Sequence, residues 1–117
     1  MAARFALVVE DDAEIARFFA LVLQDQFSVD IARTGREALD LLEMVTPEII
    51  VLDLNIPFVS GVEILRQVRA NERLAHTVVI VATANPQMAE EVYDLADLVL
   101  LKPVSYDQLR DLVRRFV

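Results

Sequence analysis

The chain has no cysteine and no tryptophan, only two glycines and a single histidine. Without cysteine, neither disulfides nor thiolate metal sites are possible. With Gly35 and Gly61 alone, a glycine-rich nucleotide-binding loop is excluded. His76 falls in a predicted loop and reads as a plain loop residue, not as a ligand or phosphocarrier. No apolar run approaches the length of a membrane span, so the 56% of hydrophobic residues belong to a core. Met1-Ala2-Ala3-Arg4 leads straight into a predicted strand without the look of a signal peptide, and a cytosolic location is the default. Cations are scarce: 11 Lys and Arg face 19 Asp and Glu, for a net charge of -8. That argues against nucleic-acid binding by this domain and fits a site that wants a divalent cation. The length, 117 residues, fits one domain covering 1–117.

What the chain has is a fivefold alternation of short apolar runs and helix-like stretches. The predicted strands lie at about Arg4–Val9, Phe27–Ala32, Glu48–Leu52, Thr77–Ala82 and Leu98–Leu101. The predicted helices run over about Ala13–Gln24, Thr34–Val45, Ser60–Ala70, Pro86–Leu95 and Ser105–Phe116. Thr34-Gly35-Arg36-Glu37 and Ser60-Gly61-Val62-Glu63 are capping-box patterns. Pro86 suits a first helical turn. Ile15, Phe18, Phe19, Val22 and Leu23 recur at helical spacing, as do Leu109, Leu112, Val113 and Phe116. Met44 and Met88 read as core or rim positions on helix faces. This pattern implies an α/β fold, a (βα)5 doubly wound five-stranded parallel sheet.

Three charged positions follow apolar runs. Glu10-Asp11-Asp12 follows Phe5–Val9, Asp53 follows Ile49–Leu52, and Lys102-Pro103 follows Leu98–Leu101. Ligands of open parallel sheets bind at the carboxyl ends of the strands, so these charges are expected to converge there. Crowded carboxylates raise one another's pKa and destabilise a fold unless a cation joins them. Magnesium takes one or two carboxylates, keeps waters and accepts phosphate oxygens, which fits Glu10, Asp11 and Asp53. Asp12 fits a helix N-cap. Asp53 is the natural nucleophile, because a carboxylate can attack phosphorus to form an acyl phosphate. Lys102 is the matching cation.

In these residues the chain resembles a response-regulator receiver domain of the CheY-like type, over essentially its whole length. Val8-Val9-Glu10-Asp11-Asp12 is similar to the family's acidic pocket. Asp53-Leu54-Asn55-Ile56-Pro57, with Gly61 eight residues past the aspartate, resembles the phosphoacceptor loop. Thr83-Ala84 lies thirty residues past Asp53, and Lys102-Pro103 resembles the final lysine. The resemblance implies strand order 2-1-3-4-5 and phosphorylation at Asp53. It implies direct magnesium ligands in Asp11 and Asp53, the backbone carbonyl of Asn55 as another, and Glu10 acting through water. Thr83 would hydrogen-bond a phosphoryl oxygen after a small movement, Lys102 would pair with the phosphoryl group, and the Lys102-Pro103 bond would be cis. The implied activity is that of a signalling domain, not an enzyme in its own right, which catalyses its own phosphoryl transfer and dephosphorylation. A sensor histidine kinase or phosphotransfer protein would be the donor. The output partner is unnamed, and neither direct nucleic-acid binding nor membrane insertion is implied.

Two departures stand out. Relatives usually carry Tyr or Phe three residues before the lysine, where this chain has Val99. Thr83 and Lys102 are only nineteen residues apart, so nearly a helical turn is missing between the last two strands. The alternative reading is therefore a phosphate-independent interaction module of receiver fold with an altered switch region. Other architectures fit less well. A flavodoxin needs a hydroxyl- and glycine-rich phosphate loop where Glu10-Asp11-Asp12 would repel the phosphate. A haloacid-dehalogenase-type phosphatase needs an Asp-x-Asp pattern after its first strand, and here the second aspartate directly follows the first.

Overall fold

Runs of β-branched residues too short for a helix pair side by side as parallel strands. The computed structural model describes residues 4–116, so Met1–Ala3, on which the leader reading rests, lie outside it. The strands are β1 (Phe5–Val9), β2 (Ser28–Ala32), β3 (Ile49–Leu52), β4 (Val78–Thr83) and β5 (Leu98–Leu101). The helices are α1 (Ala13–Leu23), α2 (Gly35–Met44), α3 (Gly61–Ala70), α4 (Pro86–Glu90) and α5 (Tyr106–Phe116), with a 3₁₀ turn at Glu72–Leu74. The sheet order is β2-β1-β3-β4-β5, every pair parallel. The central strands are buried on both faces, which is why they read as unbroken apolar runs.

Successive side chains of a strand point to opposite faces, and the two cores follow that period. Ala6, Val8, Ile49, Val51, Ile80 and Ala82 pack under α1 and α5 against Phe19, Leu23, Leu109 and Val113. Leu7, Val9, Ile50, Leu52, Val79 and Val81 pack under α2 and α3 against Leu42, Ile64, Leu65 and Val68. Caps fix where the helices begin. Asp12 Oδ1 accepts the Glu14 and Ile15 N–H groups at 2.9 and 3.1 Å. Thr34 Oγ1 accepts the Glu37 N–H at 3.1 Å, and Ser60 Oγ the Glu63 N–H at 3.3 Å. In the first of these boxes the Glu37 carboxylate reaches back to the Arg33 N–H, at 2.9 Å.

Two expectations need correction. The helix predicted to run from Pro86 to Leu95 stops at Glu90. Past it, the N–H groups of Glu91, Val92 and Leu95 donate to carbonyls three residues back. Ala89 and Val92, both fully buried, are also three apart, which suits this tighter winding. Arg69 Nε then takes the Leu95 carbonyl at 2.7 Å, and Asp97 Oδ2 takes the Val79 N–H at 2.8 Å, turning the chain into β5. Met44, read as core or rim, is 81% exposed at the end of α2. The sheet needs no further side chain there, because Ala38 and Leu42 already fill that face.

Candidate functional site

Each charged side chain is carried one residue past a strand by a backbone hydrogen bond that continues the ladder. The Glu10 N–H donates to the Ala32 carbonyl at 3.0 Å, Asp53 to Val9 at 2.9 Å, and Lys102 to Thr83 at 2.9 Å. All three therefore stand at the carboxyl edge of the sheet, Glu10 and Asp53 at the β1–β3 junction where the strand order reverses direction and Lys102 past β5. One carboxylate oxygen from each of Glu10, Asp11 and Asp53 lies within 4.8 Å of the others. Glu10 and Asp53 are buried, and Asp11 is exposed at the rim. Lys102 Nζ is 2.5 Å from Glu10 Oε1 and 3.5 Å from Asp53 Oδ2. The Lys102-Pro103 bond is cis.

The loops are held close to the acid pocket. The Asn55 N–H donates to Asp53 Oδ1 at 3.2 Å, and the Asp12 N–H to Glu10 Oε2 at 3.3 Å. The Asn55 residue itself is exposed. Thr83 is fully buried at the end of β4, and its Oγ1 accepts the Asn85 N–H at 3.1 Å. Gly61 is required by proximity: a Cβ there would lie 2.4 Å from the Asp53 carbonyl oxygen and 2.5 Å from Leu54 Cα. Its N–H donates to the Leu54 carbonyl at 2.9 Å and ties α3 to the Asp53 loop. In the same loop Phe58 takes a left-handed φ of 72° and is 88% exposed.

Burial pushes the Glu10 carboxyl up to about 7; Lys102 pulls against that shift and the charge of Asp53 adds to it. Burial would lower the Lys102 ammonium, but Glu10 and Asp53 outweigh it and hold the group above its ordinary value. Chemically this is a set of hard oxygen donors suited to a divalent cation, with a buried carboxylate and a fixed cation beside it.

The residues singled out from the sequence are thus brought to one edge, with Thr83 and Asn55 held by loop hydrogen bonds. Two features escaped sequence reasoning. Lys102 sits closer to Glu10 than to Asp53. Arg33, which no motif in the sequence singles out, donates both Nε, at 3.1 Å, and Nη2 to the carbonyl of Asp11. Nothing local in the sequence signals either contact.

The family described as the response regulator receiver domain matches residues 6–114. The chain is 35% identical over 112 residues to the response regulator ArlR of Staphylococcus saprophyticus, an alignment covering 92% of this chain and 50% of that protein. It is 32% identical over 114 residues to the sensor histidine kinase TmoS of Ectopseudomonas mendocina, covering 95% of this chain and 12% of that protein. The chain therefore spans about half the length of the curated response regulators it matches. Among solved structures, the chemotaxis response regulator CheY4 of Vibrio cholerae superposes with a TM-score of 0.88 at 27% identity, covering 99% of this chain and 100% of that one.

Proposed function

The chain belongs to the response regulator receiver domain family, and on that premise we propose that it is phosphorylated on Asp53, in the presence of magnesium, and thereby changes what it binds. The observation that carries this reading is the placement of Asp53: Oδ2 is 3.5 Å from Lys102 Nζ, and its carboxylate shares a 4.8 Å cluster with Glu10 and Asp11. The donor is a sensor histidine kinase or a phosphotransfer protein. A carboxylate oxygen of Asp53 bonds to phosphorus as the P–N bond of the donor's phosphohistidine breaks. The electron pair leaves on the imidazole nitrogen, which takes up a proton.

The three carboxylates fit magnesium: Asp11 and Asp53 would hold it directly, with the Asn55 backbone carbonyl as a further ligand and Glu10 acting through water. When bound, the ion neutralises phosphoryl oxygens. Lys102 would shift from Glu10 toward the new charge, and the Thr83 hydroxyl would donate to a phosphoryl oxygen. Water attack on phosphorus, beside the Asn55 side chain, then releases inorganic phosphate and restores Asp53. The domain is thus a signalling device that catalyses its own phosphorylation and dephosphorylation, not an enzyme turning over a separate substrate. We read 1–117 as a single receiver domain working in the cytoplasm, with the output left to a protein partner. The net charge of -8 disfavours direct nucleic-acid binding. Among the described residues no helix is long and apolar enough to cross a membrane. The phosphate-independent alternative is not favoured, because every position of the phosphoacceptor set is filled.

Intact-mass measurement with magnesium and a small phosphodonor is the test. Wild type gains one acid-stable, base-labile phosphoryl group, and Asp53→Asn gains none. Equal labelling of both proteins would sink the assignment.

A further inference from the structure

We infer that Arg33 is a positioning residue for the cation site: its guanidinium grips the β1–α1 loop at the Asp11 carbonyl and so sets where the Asp11 carboxylate stands. The inference rests on the reading of Glu10, Asp11 and Asp53 as a magnesium site. Of these three, Glu10 and Asp53 are buried and held at their oxygens by Lys102 and by the N–H groups of Asp12 and Asn55. Asp11 is exposed, and among the described residues no hydrogen bond or ion pair reaches its carboxylate. Two like charges within 4.8 Å push it outward. Its place therefore depends on its backbone.

That backbone is held from the end of β2. Arg33 Nε donates to the Asp11 carbonyl at 3.1 Å, and Nη2 donates to the same oxygen. The grip starts from a fixed base. The Ala32 carbonyl accepts the Glu10 N–H at 3.0 Å, and the Arg33 N–H donates to Glu37 Oε2 at 2.9 Å. A planar guanidinium can present two donors at once, which a lysine cannot match.

Positioning and bare charge predict opposite signs. A cation beside the site repels magnesium, so losing the charge alone would tighten binding. Losing the grip would loosen it. Magnesium titration of the metal-free chain, followed by amide shifts of the Asp11 and Asp53 loops, separates the two. Arg33→Met keeps the stem and removes donors and charge. Arg33→Lys keeps the charge and one donor. Losing a support of a metal ligand typically weakens affinity about 10- to 100-fold, and a support acting through the backbone is expected to give roughly 3- to 10-fold for Arg33→Met. Arg33→Lys should lie between wild type and Arg33→Met. The magnesium half-saturation of Asp53 labelling should rise with the dissociation constant, and more than the plateau rate falls. An Arg33→Met protein that binds magnesium as tightly as wild type, or tighter, overturns the inference. Should Arg33→Met not fold, Arg33→Lys decides: weakened binding supports the grip, and unchanged or tighter binding refutes it. Wild type that fails to bind magnesium at all would instead refute the functional reading on which the inference stands.

Discussion

Glu10 is the residue on which the resting state turns. Its carboxyl is 1% exposed and bonded to Lys102 at 2.5 Å, and burial still pushes it up to about 7. The unfolded chain releases that proton near the ordinary value of 4.5. Between these values the folded state binds more protons than the unfolded state, so stability falls as pH rises through the window. At about 1.4 kcal/mol per unit the loss is at most about 3–4 kcal/mol. Lys102 works the other way. Its value is raised above 10.5, so its contribution is fully present below that pH and lost only as pH climbs past the folded value. Metal-free protein should therefore lose stability from about pH 4.5 to 7 in denaturant titrations. Magnesium at saturation should flatten the slope, because a cation beside Glu10 favours its ionised form and draws its value back down. A stability that rises through the window would refute the assignment to Glu10. Asp11 makes a cleaner test of repulsion, since it pairs with no cation through its carboxylate among the described residues. Removing one like charge in a water-screened setting, by Asp11→Asn, should raise metal-free stability by about 1 kcal/mol. A lower melting temperature would count against a strained pocket.

At the scale of elements, α4 and β5 carry the departure. α4 has five residues, and the turns after it are pinned rather than loose. Arg69 bonds the Leu95 and Thr77 carbonyls, each at 2.7 Å, and pairs with Asp97 at 2.8 Å. Asp97 also takes the Val79 N–H, so the entry to β5 is clamped to α3 and β4 together. Val99, opposite Val81 in the register, packs on the α2–α3 core. A branched side chain is stiff at χ1 and too short to swing between two positions as a ring could. Beryllofluoride with magnesium should therefore give large amide shifts at Asp53, Thr83–Asn85 and Lys102, and modest ones across Leu98–Leu100. Shifts in β5 and α5 as large as those in the loops would show that the clamp and Val99 do not isolate this face. With that face isolated, partner recognition would read the loops and the first turn of α4, near Asn85–Met88, or another face altogether.

At the scale of the whole molecule, the start of α3 packs against the Asp53 loop with no room between them. Gly61 shows this most directly, because its neighbours at 2.4 and 2.5 Å are backbone atoms that cannot step aside. Gly61→Ala should lower stability by about 1–3 kcal/mol and slow labelling of Asp53, read by melting and by intact mass. A substitution without effect on either would mean the loop has room the structure does not show. Much of this architecture was legible in the residues themselves. Apolar runs of strand length, the caps Asp12, Thr34 and Ser60, and the charges just past Val9, Leu52 and Leu101 are local signals, and local signals survive in a linear string. Parallel pairing follows from the alternation with helices, and it alone suffices to bring Glu10, Asp53 and Lys102 to one edge. The tertiary structure decided which charges meet. Lys102 finds Glu10 across 92 positions and Arg33 finds the Asp11 carbonyl across 22, and neither distance leaves a trace in composition or period. It also decided how the chain passes from α4 into β5, because Arg69 and Asp97 lie outside α4 and act through hydrogen bonds that exist only once α3, β4 and β5 are packed together.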